Sequence, residues 1–218
     1  MDNIARIGLV IFIVYLPIFL VLLLIAVRKH RGYSFTSLWM SNLGDTRFRS
    51  SVLFNSAFLF YGIVSLFFVY GLSQILPNIF ISMIAIIFLY LSCLSTIIAS
   101  QIPMDKNLRI HHKFSNMVFI GITISSALLV YPIFVSSVIP QYFLTLNVLL
   151  IALSTVLCVS FAELVKKEGK IPVTLFEIRK KGKSFLMRNA AVQEWTFFLV
   201  VLVWNFVISL IILKNLYI

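Results

Sequence analysis

The chain has 218 residues, 61% of them hydrophobic and 11% charged, with a mean hydropathy of +1.06. A soluble domain is nearer half apolar and a quarter charged, so this composition excludes an ordinary soluble fold. The net charge of +11 arises from residues set between long apolar runs, which argues against nucleic-acid binding and for membrane topology.

Apolar runs of about 20 residues match the hydrocarbon thickness of a bilayer, and six are present. The predicted fold is therefore all-α: a polytopic membrane protein with a six-helix bundle as one integral domain over residues 1–218. The first span is predicted at about 5–27, followed at once by Arg28, Lys29 and Arg31. Its length and the position of its positive flank distinguish it from a signal peptide. Pro17 within it is tolerable where neighbouring helices satisfy the freed carbonyl. Spans two and three, about 51–75 and 79–99, are joined by "ILPN". Spans four and five, about 115–137 and 141–163, are joined by "SVIPQ". Both junctions read as proline-containing turns of helical hairpins. The sixth span covers about 193–216. Related text at matching places in the two hairpins, such as "LSCLSTIIAS" at 91–100 and "LSTVLCVSFA" at 153–162, is consistent with an internal repeat or with restricted apolar composition.

Sixteen of the 18 Lys and Arg residues fall in three loops, 28–50, 100–114 and 164–192, which such a topology places on one side. The positive-inside rule makes that side cytoplasmic, with both termini extracytoplasmic in a cell-membrane protein. Loop 164–192 mixes Leu175, Phe176, Ile178, Phe185, Leu186 and Met187 with eight basic residues. That mix suits a basic amphipathic segment at the interface or a solvated basic loop.

The spans hold neutral polar groups, among them Asn55, Ser125, Ser126, Asn147 and Asn205, which ordinarily serve helix packing. No ionisable residue is expected near the middle of a span, which argues against ion-coupled transport. Cys93 and Cys158 lie inside apolar runs with no zinc-type spacing. Ionisable groups instead collect at the cytoplasmic edge: His30, Asp45, Asp105, His111, His112, Glu163 and Glu194. "QIPMDKNLRIHHKF" at 101–114 is the densest part, read as a wet loop with its histidines at headgroup level. His30, His111 and His112 offer an alternative haem or divalent-metal site, although the chain lacks HExxH, GxSxG, Walker A and Rossmann fingerprints. The leading expectation is no cofactor.

Short polar stretches resemble the domain of unknown function 998 family. "SNLGD" at 41–45 resembles its Ser-Asp-Leu-Gly signature, with Asn42 in place of Asp. "FN" at 54–55 resembles its Phe-Asn, and "QIPMDKNLRIHH" its Phe-Pro-x-Asp stretch followed by His, with Ile102 in place of Phe. "QEW" at 193–195 and Trp204 are similar to its last span, with Trp195 in place of Arg. The resemblance implies a six-helix bundle distantly similar to the Frag1/DRAM/Sfk1 membrane proteins, some of which act in lipid handling, and it implies no defined activity.

Physically, these stretches share one side and suit a polar mouth made by Ser41, Asn42, Asp45, Asn55, Asp105, Arg109, His111 and His112. Arg47, Arg49 and Arg109 would supply positive charge for anionic lipid headgroups. The expected function is lipid binding or organisation, or a subunit role with membrane-protein partners or a second copy of the chain. The alternative is a membrane enzyme acting on a lipid or other hydrophobic substrate at the same face.

Overall fold

The computed structural model describes residues 3–36, 38–168 and 190–214, with 161–168 and 190 as backbone only. Among these residues it is all-helical and has no strand. Six long helices are present: α1 (Asn3–Lys29), α2 (Ser51–Ser73), α3 (Phe80–Gln101), α4 (Leu108–Val135), α5 (Phe143–Glu168) and α6 (Ala190–Lys214). Each contains a stretch long and apolar enough to cross a membrane, so the chain is a multi-pass membrane protein.

Regular helix is forced by the solvent, because hydrocarbon offers backbone N–H and C=O groups no partner outside the segment itself. Pro17 in α1 and Pro132 in α4 are both absorbed within continuous helices. The hairpin turns fall where the sequence places them. Ser136 Oγ closes the second by accepting from the amides of Val138 and Ile139 at 3.2 and 3.1 Å.

The helices form a ring. Each of α1 to α5 packs on the next, α6 packs on α5 and closes onto α1, and α2 also reaches α6 across the middle. Two glycines allow α3 its close approach to both neighbours. A Cβ on Gly62 of α2 would stand 2.7 Å from Ile97 Cγ1 of α3. One on Gly121 of α4 would stand 3.0 Å from the Phe88 carbonyl and collide with Ser92 Oγ. Such small-residue contacts replace the hydrophobic drive that lipid cannot supply between helices.

Inner and outer faces are chemically alike. On α1, Ile4, Ile7, Ile11, Val14 and Ile18 are exposed at helical spacing, whereas Ala5, Leu9, Phe12, Leu16 and Phe19 are buried. The outer stripe is the lipid-facing surface and the inner stripe is the core.

Two sequence expectations are corrected. α4 begins at Leu108 rather than near 115, so the polar connector shrinks to residues 102–107. Asn107 starts the helix early, its side-chain oxygen accepting from the Ile110 amide at 3.1 Å. Helical turning then sends Arg109 and Lys113 outward and His111 and His112 inward. The histidines are only 6% and 5% exposed, not wet loop residues at headgroup level. Segment 28–50 is likewise no open loop: it folds over the end of the ring through a 3-10 turn at Met40–Gly44. The basic stretch 164–192 enters as the end of α5 and leaves as the start of α6. Residues 169–189, on which the amphipathic expectation rests, lie outside the described residues, as does the Glu163 side chain.

Candidate functional site

The basic end of the bundle is built from the segment that follows α1. The His30 ring stacks on Phe48 with centroids 3.9 Å apart and meets Tyr33 edge-on at 5.4 Å. Trp195, at the start of α6, donates its indole N–H to Tyr33 Oη at 2.8 Å. Burial pushes the Tyr33 phenol far above its usual range, and the nearby Glu194 carboxylate adds to that rise.

"SNLGD" is this segment's 3-10 turn, and it is anchored at both ends. The Met40 amide, at its start, donates to Glu194 Oε2 at 2.7 Å. The Gly44 carbonyl, at its end, accepts from Asn55 Nδ2 at 3.1 Å. A Cβ on Gly44 would collide with the Asn55 side-chain oxygen and stand 2.9 Å from Phe54 Cδ1. Glycine is therefore what lets the turn lie on the first turn of α2.

Two polar groupings result. The outer one surrounds Asp45, which is buried beneath an exposed Arg47. Asp45 Oδ1 accepts from the Arg47 amide at 3.0 Å and from its Nε at 2.9 Å, and Oδ2 pairs with Arg47 Nη2. The Arg47 guanidinium holds the Asp45 carboxyl below the ordinary carboxylate range. Next to it, Thr46 donates its amide to Asp105 Oδ1 at 3.0 Å and its hydroxyl to Oδ2 at 2.5 Å. Partial burial acts to raise Asp105, but these two bonds together with its own backbone amide and the nearby Lys106 charge outweigh it, and the carboxyl lies below its usual value. Ser41 Oγ donates to Met104 Sδ at 3.3 Å, so "SNLGD" and "QIPMD" form one hydrogen-bonded unit.

The inner grouping opens on a cavity of about 140 Å³ between α2, α3, α4 and α6. Met40, Ser41, Asn55, Ser100, His111, Ser115 and Glu194 line its polar end. Farther in, the wall is mostly apolar and carries Phe54, Phe58, Tyr61, Phe68, Phe119, Phe197, Phe198 and Trp204. Protein interiors are normally packed without such space. The volume is close to that of a cavity that accepts a benzene molecule. His111 Nδ1 donates to the Ile102 carbonyl at 2.7 Å, so in the neutral ring Nε2 is the acceptor. That nitrogen is buried and makes no hydrogen bond in the structure. Glu194 is the single carboxylate among the described lining residues, and no Lys or Arg lines the cavity with it.

Of the residues expected at a polar mouth, Ser41, Asn55 and His111 line the cavity, while Asp45 and Asp105 belong to the outer cluster. Asn42 and His112 are buried outside the lining, and Arg109 is exposed on α4. Among the described residues, no group of three or more His, Cys, Asp or Glu is placed to hold a metal ion. The sequence reading put Glu194 in the ionisable layer but left it out of the mouth, and it did not find the aromatic wall. Glu194, Phe197 and Phe198, spaced i, i+3 and i+4 at the head of the last span, were the available signal.

No curated protein and no solved structure is significantly similar to the chain. The family model described as "Protein of unknown function (DUF998)" matches residues 13–211, nearly the whole ring of helices and both polar segments, and the chain belongs to that family.

Proposed function

We propose that the protein binds a membrane amphiphile, holding part of its apolar chain in the interior cavity and its polar group at the basic end of the bundle. The observation that carries this reading is the cavity itself: an aromatic and aliphatic interior that ends in Ser41, Asn55, His111 and Glu194. Ligand sites of this kind are mostly apolar, with a few convergent polar groups. The exposed Arg49, Lys106, Arg109 and Lys113 at the same end suit association with anionic headgroups at the membrane surface. Binding is favoured over chemistry by one hydrogen bond. Ser41 donates to Met104 Sδ and not to His111 Nε2, so these two lining residues form no nucleophile–base pair in the structure.

Photolabelling with a diazirine-bearing hexadecanol, on the purified chain in nanodiscs, tests the reading. Peptide mapping is expected to place adducts on Phe58, Phe198 or Trp204 of the cavity wall. Adducts confined to lipid-facing residues such as Ile11 and Val203 would remove the basis for an interior site.

A further inference from the structure

Resting on that interior-binding reading, we infer that the cavity selects amphiphiles with a cationic nitrogen, a long-chain amine or quaternary ammonium, through Glu194 and the aromatic rings next to it. Glu194 is only 8% exposed, and among the described residues its carboxylate accepts one hydrogen bond, from the Met40 amide. A carboxylate removed from water is costly unless a positive charge or several donors compensate it. No Lys or Arg is among the described residues that line the cavity, and the His111 Nδ1 proton there is directed at the Ile102 carbonyl. A ligand with a positive head supplies a counter-charge that the described lining residues do not.

The rings point to the same chemistry. One helical turn after Glu194, Phe197 and Phe198 come round to its face of α6. Phe198 lies 5.3 Å from Phe58 and 5.9 Å from Tyr61, ring centroid to centroid, and Phe54 lies 4.5 Å from Phe58. All of these rings line the cavity. Aromatic faces attract ammonium groups, most strongly where water is excluded. A carboxylate with a ring cluster one turn away offers a cation both ion pairing and cation–π contact, while the rest of the wall takes its alkyl chain. A neutral head gains only a hydrogen bond there, and an anionic head meets repulsion.

The experiment uses the photoreactive hexadecanol as a common probe, competed by hexadecylamine, hexadecanol and hexadecanoic acid at equal mole fractions in nanodiscs. For the native chain, the amine is expected to displace the probe at about tenfold lower concentration than the alcohol, with the acid weakest. Glu194→Gln retains an oxygen for the Met40 amide and loses the charge, so it is expected to equalise amine and alcohol with an unchanged melting temperature. Phe198→Leu, which keeps the carboxylate, is expected to reduce the amine preference severalfold. Equal competition by all three in the native chain, or an amine preference that survives Glu194→Gln, would overturn the inference while leaving interior binding intact. Absence of any adduct inside the cavity would overturn both.

Discussion

The two polar groupings at the basic end are joined by the segment that follows α1 and differ in almost every physical respect. In the outer one, each carboxylate is matched: Asp45 by Arg47, and Asp105 by the amide and hydroxyl of Thr46. In the inner one, among the described residues, Glu194 has a single amide and His111 a ring nitrogen with no hydrogen bond. Satisfied polar clusters rigidify a fold, whereas under-satisfied ones are places where a ligand can complete the set. The outer cluster therefore acts as a latch that ties the segment after α1 to the α3–α4 connector, and the inner groups are what the latch holds in position. Charge runs in opposite senses across the two, with exposed arginines and lysines outside and, among the described lining residues, one carboxylate within.

The largest expected effect comes from Gly44, which stands between the two groupings. Gly44→Val places atoms against Asn55 and Phe54, both of which line the cavity, and it lifts the turn that carries Asp45. Overpacking of this kind costs about 1–3 kcal/mol. It should appear as a lowered melting temperature together with loss of interior photolabelling. If the variant melts normally and still labels inside, the turn does not couple the two groupings.

Acid is expected to act on the outer grouping next. Asp45 and Asp105 both lie below the ordinary carboxylate range in the folded chain. A depressed folded value means that their stabilisation is complete above the unfolded pKa of about 4 and is lost as pH falls through the folded values. The contribution of these two carboxylates to the melting temperature should be constant from neutrality down to about pH 5 and be lost below about pH 4. The double variant Asp45→Asn, Asp105→Asn should melt lower at neutral pH and lose much of that acid dependence. An unchanged acid slope in the double variant would remove these two carboxylates from the latch.

Which of these features the sequence exposes follows from their chemistry. Span number and the shared side of the basic loops are legible because about 20 apolar residues and clustered Lys and Arg are one-dimensional signals. Helix faces are not, since Ile11 faces outward and Phe12 inward with no polarity contrast between them. The burial of His111 and His112 depends on Asn107 capping α4 about two turns before the apolar run begins. "SNLGD" and "QIPMD" are conspicuous because polar text stands out between spans, yet Asp45 and Asp105 in them form the latch. The inner site draws on rings from α2, α4 and α6, which are indistinguishable in sequence from any other phenylalanine in a span.

The smallest effect gives the finest separation of latch from site. Thr46→Val deletes the hydroxyl that donates to Asp105 Oδ2 and keeps the backbone amide that donates to Oδ1. Hydrogen bonds to charged groups contribute about 1.5–3 kcal/mol when shielded. Thr46 and Asp105 are exposed, so water competes and a loss of at most about 1 kcal/mol is expected. Melting should shift by a few degrees at most, and the shift should shrink below about pH 4, where a protonated Asp105 has less to lose. Amine-over-alcohol preference should be untouched, because Thr46 is not part of the cavity lining. A change in that preference without a change in stability would mean that the outer cluster tunes the inner one directly, and the division between latch and site would have to be redrawn around Asp105.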